Sequence, residues 1–382
     1  MAVGIALAVV FGVAFGITAL LVPPVMRLCL QRGWVQQPGG RRRHAVPTGN
    51  VGGIAIYSGL AVALIVSLAI TAMHPALNRS SFEQLRILLL LAGATLIFLV
   101  MWLDDVRELP WLPKFVAQVV AALIIVGPFL WDQQLYPDAL GEPTEARGII
   151  LTAFNFPFVD QIHLYAISPW LAIIATIFWI GWMSNTINWS DGYDGVAAGV
   201  SLIAALMLAI HALRLGQYTI AMLPLAVAGA CGGFLLFNLP PARIFMGDSG
   251  AELLGFVLGV SAIIGGAKLA TILLVLGVPI LDVAWLIVSR LAAGRSPMHG
   301  ARDHLHHRLS DLGLAPRQIL LTYYSLSLFF GLLGISDISP AAKLAALTLL
   351  VLLGGALIIL AARRGAAGPG QPGKRAEKGP DG

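Results

Sequence analysis

A chain of 382 residues that is 58% hydrophobic and only 11% charged has too little polar surface to cover a water-soluble domain. The formal net charge of +5 comes without any basic stripe interleaved with aromatics, so nucleic acid is not an expected partner. The expected fold class is all-α, a polytopic membrane helix bundle, because helices satisfy every backbone polar group within hydrocarbon.

About 20 apolar residues carry an α-helix across ~30 Å of hydrocarbon. Runs of that kind predict spans at 3 to 22, 51 to 72, 85 to 103, 115 to 131, 170 to 187, 196 to 213, 218 to 237, 250 to 267, 270 to 289, 318 to 335 and 341 to 362, about eleven in all. The first positive charge, Arg27, follows the first run. A cleaved signal peptide is therefore not expected, and the amino terminus is placed outside. Threading eleven spans from there puts 18 of the 24 Lys and Arg residues inside, in agreement with the positive-inside rule.

Residues 1–364 read as one membrane domain without internal repeats, and 365–382, rich in Gly, Pro and charge, as a disordered cytoplasmic tail. Between Trp131 and Pro169 lies the longest external segment. Its alternating part, Ile149 to Ile167, predicts a short hairpin or an amphipathic piece on the outer leaflet. Cys29 and Cys231 both fall near predicted cytoplasmic ends, which supports packing roles and no disulfide.

Four polar islands close apolar runs, all on the predicted cytoplasmic side. The first, Met101 to Phe115, holds Asp104 and Asp105, with Lys114 ten residues after Asp104; adjacent carboxylates suit Mg²⁺, which takes one or two of them plus waters and phosphates. In the second, Asn185, Asn188, Asp191 and Asp194 recur every three residues, where a helix cap would need only one. The third sets Asp248 and Ser249 at a helix start that attracts anions, with Arg243 nearby as a phosphate-grade donor and Glu252 as a dipole-compensating residue.

The fourth island gathers Arg302, Asp303, His304, His306, His307 and Arg308. A polyanion-binding cluster accounts for the arginines as well as the histidines. Zinc lacks a Cys partner here, and lipid headgroups alone leave the histidines unexplained. Asp282, inside the ninth run, is expected to support the site or make a buried hydrogen bond. Together the islands suit phosphoryl transfer, which needs positioning and charge neutralisation, with a lipid as one substrate. A transporter or flippase for lipid-linked sugars is the rival from another class; it would spread charge through the bundle depth, and only Asp282 is clearly deep.

The LDD of Leu103 to Asp105, the NxxNxxDGxDG of Asn185 to Gly195, the NxPPARIFMGDSG of Asn238 to Gly250 and the RSPxxxxRDHLHHRL of Arg295 to Leu309 stand in one order. From about Arg43 to Leu309 the chain thereby resembles the polyprenyl-phosphate N-acetylhexosamine-1-phosphate transferases, glycosyltransferase family 4. The resemblance implies transfer of a sugar 1-phosphate from a UDP-sugar to polyprenyl phosphate with release of UMP. It further implies Mg²⁺, or Mn²⁺, as cofactor, and a multi-pass protein of the bacterial plasma membrane with a cytoplasmic site; a homodimer stays open.

The RDHLHHRL form resembles the branch that uses UDP-N-acetylglucosamine and initiates cell-surface glycans. The phospho-N-acetylmuramoyl-pentapeptide branch usually carries three consecutive histidines there. By the same resemblance Asp248 is the principal Mg²⁺ ligand, with Asp104 and Asp105 near metal and lipid phosphate and Lys114 beside the phosphates. Asn188, Asp191 and Asp194 then face nucleotide and sugar, while Arg302, His304, His306 and His307 grip the diphosphate. The run Pro47 to Gly53 departs from the Pro-Arg-Leu-Gly-Gly usual before the second helix, and Trp189, Ser190 and Tyr193 replace the usual aliphatic residues. A lipid phosphate with a second pKa near ~6 is mostly dianionic at neutral pH, which favours direct attack over an Asp104 or Asp105 phosphoenzyme.

Overall fold

The computed structural model describes residues 2–37, 46–130, 148–154, 162–264, 269–292, 294, 305, 309–310 and 312–366. Of the expected site residues, Arg302, His304, His306 and His307 lie outside this set, as does the expected tail beyond residue 366.

Helix α1 (Ala2–Arg32) runs on past Pro23 and Pro24, beyond the predicted end of the first span. An antiparallel pair, β1 (Val35–Gln36) with β2 (Thr48–Gly49), leads into α2 (Gly53–Met73). A capping box opens α3 (Ser81–Arg107), where Ser80 Oγ accepts from the Glu83 N–H and the Glu83 carboxylate accepts from the Ser80 N–H. α4 (Trp111–Val126) starts behind Pro110. In the alternating segment β3 (Ala153–Phe154) pairs antiparallel with β4 (Ile162–His163), followed by the single turn α5 (Leu164–Ile167). Then come α6 (Pro169–Ser190), α7 (Val196–Arg214), α8 (Tyr218–Asn238), α9 (Gly247–Ile264), α10 (Leu269–Val275), α11 (Gly277–Ala292), α12 (Pro316–Ile335) and α13 (Pro340–Ala366).

Among the described residues nine helices are long and apolar enough to cross a membrane: α1 to α4, α6 to α9, and α12. The expected ninth span, 270 to 289, is divided between α10 and α11. Pro279 has no N–H for the Val275 carbonyl four residues back, so the helix breaks at that turn. The expected eleventh span lies within α13, whose last residues extend two positions into the predicted tail.

α9 is the centre of the bundle, with α2, α3, α6, α7 and α8 packed around it. It is buried on all sides from Ser249 to Ala262, as a helix apolar all round should be. A Cβ at Gly255 would lie 2.4 Å from the Met183 carbonyl oxygen, so glycine is what lets α6 and α9 approach so closely. That approach brings the polar ends of the two helices together.

One end of the bundle collects the first three islands. The Gly52 and Gly53 N–H groups donate to the Phe245 and Met246 carbonyls (2.9 and 2.8 Å), joining the start of α2 to the loop before α9. Cys29, free and buried, packs under Gly49 on the same side, and Cys231 is likewise free and buried. At the other end, buried Arg79 donates to the Thr219 carbonyl (2.9 Å) and Lys343 Nζ to the Gly334 carbonyl (2.7 Å). Burial pulls the Arg79 guanidinium below the usual arginine value, with Glu83 opposing.

Candidate active site

Glu108, in the left-handed region at φ 49°, ends α3 and turns the chain back. Asp104 uses that turn: its Oδ1 accepts from the Leu109 N–H (2.6 Å), while its Oδ2 accepts from Lys114 Nζ at 2.9 Å. Lys114, in the first turn of α4, also reaches Asp248 Oδ2 at 3.5 Å. Asn188 also stands within hydrogen-bonding reach of the Asp248 carboxylate. Two carboxylates from α3 and α9 thus share one ammonium. At an effective dielectric near 20 a pair of like charges 4 Å apart costs about 4 kcal/mol, and a cation between them offsets it.

Asp105, the next residue, faces elsewhere. Its Oδ1 accepts from the Asp248 N–H (2.7 Å), and its Oδ2 from the Ser249 N–H (3.1 Å) and Ser249 Oγ (2.5 Å). These are the free N–H groups of the first turn of α9, so Asp105 caps that helix from a neighbouring one. Gly247 permits the fit: its φ is +70°, and a Cβ there would lie 2.4 Å from Asp105 Oδ2.

The second island divides its work. Asn185 and Asn188, one turn apart on α6, face α4 and α9: Asn185 Nδ2 donates to Gln118 Oε1 (3.1 Å), and Asn188 Nδ2 to Glu252 Oε1 (3.1 Å). Asp191 is buried at the end of α6, where its N–H donates to the Asn188 carbonyl (3.1 Å). Asp194 Oδ2 accepts from the Ala242 N–H (2.9 Å). Asn238, at the end of α8, accepts from the Gly195 N–H (3.0 Å) and donates to the Ile244 carbonyl (2.9 Å), stapling the second island's loop to the third's. Arg243 is exposed at the rim, its guanidinium over the Phe237 ring and donating to the Leu236 carbonyl (2.8 Å).

Two residues of this network carry more than their sequence context indicated. Gln118 and Glu252 are buried and joined directly, Gln118 Nε2 donating to Glu252 Oε2 at 2.7 Å. Glu252 was expected to compensate a helix dipole, yet its partners are side chains of α4 and α6. An uncharged polar residue one turn beyond Lys114 was the available signal for Gln118. Of the fourth island, Leu305 is described: it is buried, and its N–H donates to Asp282 Oδ1 (2.6 Å). Asp282 thereby makes the buried hydrogen bond expected of it, and makes it to the histidine loop.

Among the described residues no group of three or more His, Cys, Asp or Glu side chains could hold a metal ion. Mg²⁺ needs fewer, since it keeps waters and takes substrate phosphates as ligands. The facing carboxylates of Asp104 and Asp248 fit that need, whereas both oxygens of Asp105 are committed to α9. With Lys114 beside them, the arrangement can gather phosphate oxygens and neutralise their charge.

Residues 87–266 match the family model described as Glycosyl transferase family 4. The chain is 29% identical to a protein of Bacillus subtilis (strain 168) named probable undecaprenyl-phosphate N-acetylglucosaminyl 1-phosphate transferase, over 84% of this chain and 82% of that protein. It is 32% identical to a decaprenyl-phosphate N-acetylglucosaminephosphotransferase of Mycolicibacterium smegmatis, covering 78% and 73% of the two chains. A phospho-N-acetylmuramoyl-pentapeptide-transferase of Desulforamulus reducens is 30% identical over 85% and 93%. With the matched segment running from α3 through α9, which supply Asp104, Lys114, Asn188 and Asp248, the chain belongs to glycosyl transferase family 4.

Proposed function

We propose that this protein transfers N-acetylglucosamine 1-phosphate from UDP-N-acetylglucosamine to a polyprenyl phosphate, releasing UMP, and so initiates synthesis of a cell-surface glycan. The observation that carries the reading is Lys114 held between Asp104 and Asp248 where the ends of α3, α4, α6 and α9 meet. Names of relatives in two genera point to the same sugar. Mg²⁺ would be held by Asp248 and Asp104, and when bound it supplies charge neutralisation at the phosphates.

The protein's own groups then do the following. Lys114 draws phosphate oxygens toward the carboxylate pair and limits repulsion between the lipid phosphate and the diphosphate. Asn188 and the loop of Asp191 and Asp194 hold the nucleotide sugar, and Arg302, His304, His306 and His307 grip its diphosphate. A dianionic lipid phosphate needs no protein base, so it attacks the sugar-bearing phosphorus directly and UMP departs.

The test of the reading is a pair of assays with purified protein, polyprenyl phosphate and Mg²⁺, followed by mass spectrometry of the lipid product. UDP-N-acetylglucosamine yields a lipid-linked N-acetylglucosamine diphosphate; UDP-muramoyl-pentapeptide yields none. Efficient use of the pentapeptide substrate would move the protein to the branch represented by the Desulforamulus relative.

The site face is cytoplasmic in this reading, from the distribution of basic residues. Both native cysteines are buried, which leaves introduced ones readable. In intact cells Asp337→Cys, at the far end of the bundle and 92% exposed, reacts with an impermeant maleimide, and Arg107→Cys does not. The reverse pattern would invert the orientation.

A further inference from the structure

Beneath the site, α4, α6 and α9 each carry a second polar side chain one turn deeper: Gln118 below Lys114, Asn185 below Asn188 and Glu252 below Asp248. Polar groups so deep in an apolar bundle must be mutually satisfied. Glu252 is only 2% exposed, and its two oxygens serve two donors, Gln118 Nε2 at 2.7 Å and Asn188 Nδ2 at 3.1 Å.

The order of donors and acceptors in this chain is fixed at its ends. Asn185 Nδ2 donates to the Gly181 carbonyl (2.7 Å), an acceptor that cannot be turned round, and with its second hydrogen to Gln118 Oε1. Gln118 must then present its amide nitrogen to Glu252, and a carboxylate can only accept. Asn188 is held the same way, its amide nitrogen drawn to Glu252 and within reach of Asp248 one turn above. Its Oδ1 is consequently the atom turned away from both carboxylates.

We propose that Glu252 is a positioning residue for the donor nucleotide sugar: with Gln118 it fixes the orientation of the Asn188 carboxamide, so that Asn188 offers an acceptor oxygen to an N–H or O–H group of that substrate. The proposal rests on the transferase reading above. Glu252 itself touches neither substrate nor reacting atoms.

A glutamine at 252 offers one acceptor to two donors, so either Gln118 or Asn188 must turn round. E252Q is expected to raise KM for UDP-N-acetylglucosamine about 10- to 100-fold, the usual size of losing an orienting partner behind a ligand, with KM for polyprenyl phosphate unchanged. The exchange variant Q118E/E252Q restores a consistent order. Its carboxylate, now on α4, accepts from Asn185 and from the amide nitrogen of the new α9 carboxamide, whose oxygen accepts from Asn188. The exchange should recover the wild-type KM to within about threefold, which a purely structural loss of charge would not do.

Steady-state kinetics of wild type, E252Q and the exchange variant in detergent, varying each substrate in turn, decide the matter. Wild-type KM in E252Q, an equal rise for both substrates, or failure of the exchange variant to recover would overturn the positioning role while leaving the transferase reading intact. A wild-type protein inert with UDP-N-acetylglucosamine would overturn the transferase reading, and this inference with it.

Discussion

Asp248→Asn protein folds normally and turns over on the order of 10²- to 10³-fold more slowly than wild type. The substitution keeps size and shape but removes one of the two carboxylates around Lys114. If these carboxylates carry the charge stabilisation of the phosphates, several kcal/mol are lost, at 1.36 kcal/mol per tenfold in rate. Stability should move the other way or not at all, because Asp104 and Asp248 repel each other and the Asp248 N–H that holds α9 to Asp105 is untouched. Single-turnover rates at saturating and limiting Mg²⁺, with thermal unfolding alongside, make the measurement. Near wild-type turnover at limiting Mg²⁺ would remove Asp248 from the metal site.

The second large effect is expected at the adjacent aspartate of the same motif, with an opposite signature. Asp105→Ala strips the first turn of α9 of the acceptor for two backbone N–H groups and the Ser249 hydroxyl. Hydrogen bonds to a charged group are worth roughly 1.5–3 kcal/mol each, and the orphaned donors cannot all find water, so a loss of about 3 kcal/mol or more is expected. Activity falls because Asp248 loses its place, and any rise in the Mg²⁺ concentration giving half-maximal rate accompanies the loss of stability. An unchanged unfolding temperature combined with a strongly raised Mg²⁺ requirement would show instead that Asp105 belongs with the metal.

These neighbours illustrate what a sequence yields and what it withholds. Apolar runs marked the spans because a bilayer imposes length, and the shared face of three islands followed from counting charges across them. Asp104 and Asp105 looked equivalent in LDDV. They differ because consecutive helical residues point about 100° apart, one toward Lys114 and the other toward the start of α9. Nothing in α3 itself states which helix stands on which side. The pairing of Gln118 with Glu252 was illegible for the same reason, since each is explained only by a partner on another helix. The break at Pro279 was readable from the residue alone, and the unbroken apolar run around it hid the signal.

Asn238 has a thermodynamic consequence. By holding the Gly195 N–H and the Ile244 carbonyl with one side chain, and with Asp194 tied to Ala242, it freezes two loops against each other during folding. The conformational entropy of ordering those residues, about 1–2 kcal/mol for each backbone fixed, is therefore not charged against ligand affinity. Association on that side of the site should be fast, since no loop there has to be caught in the right shape.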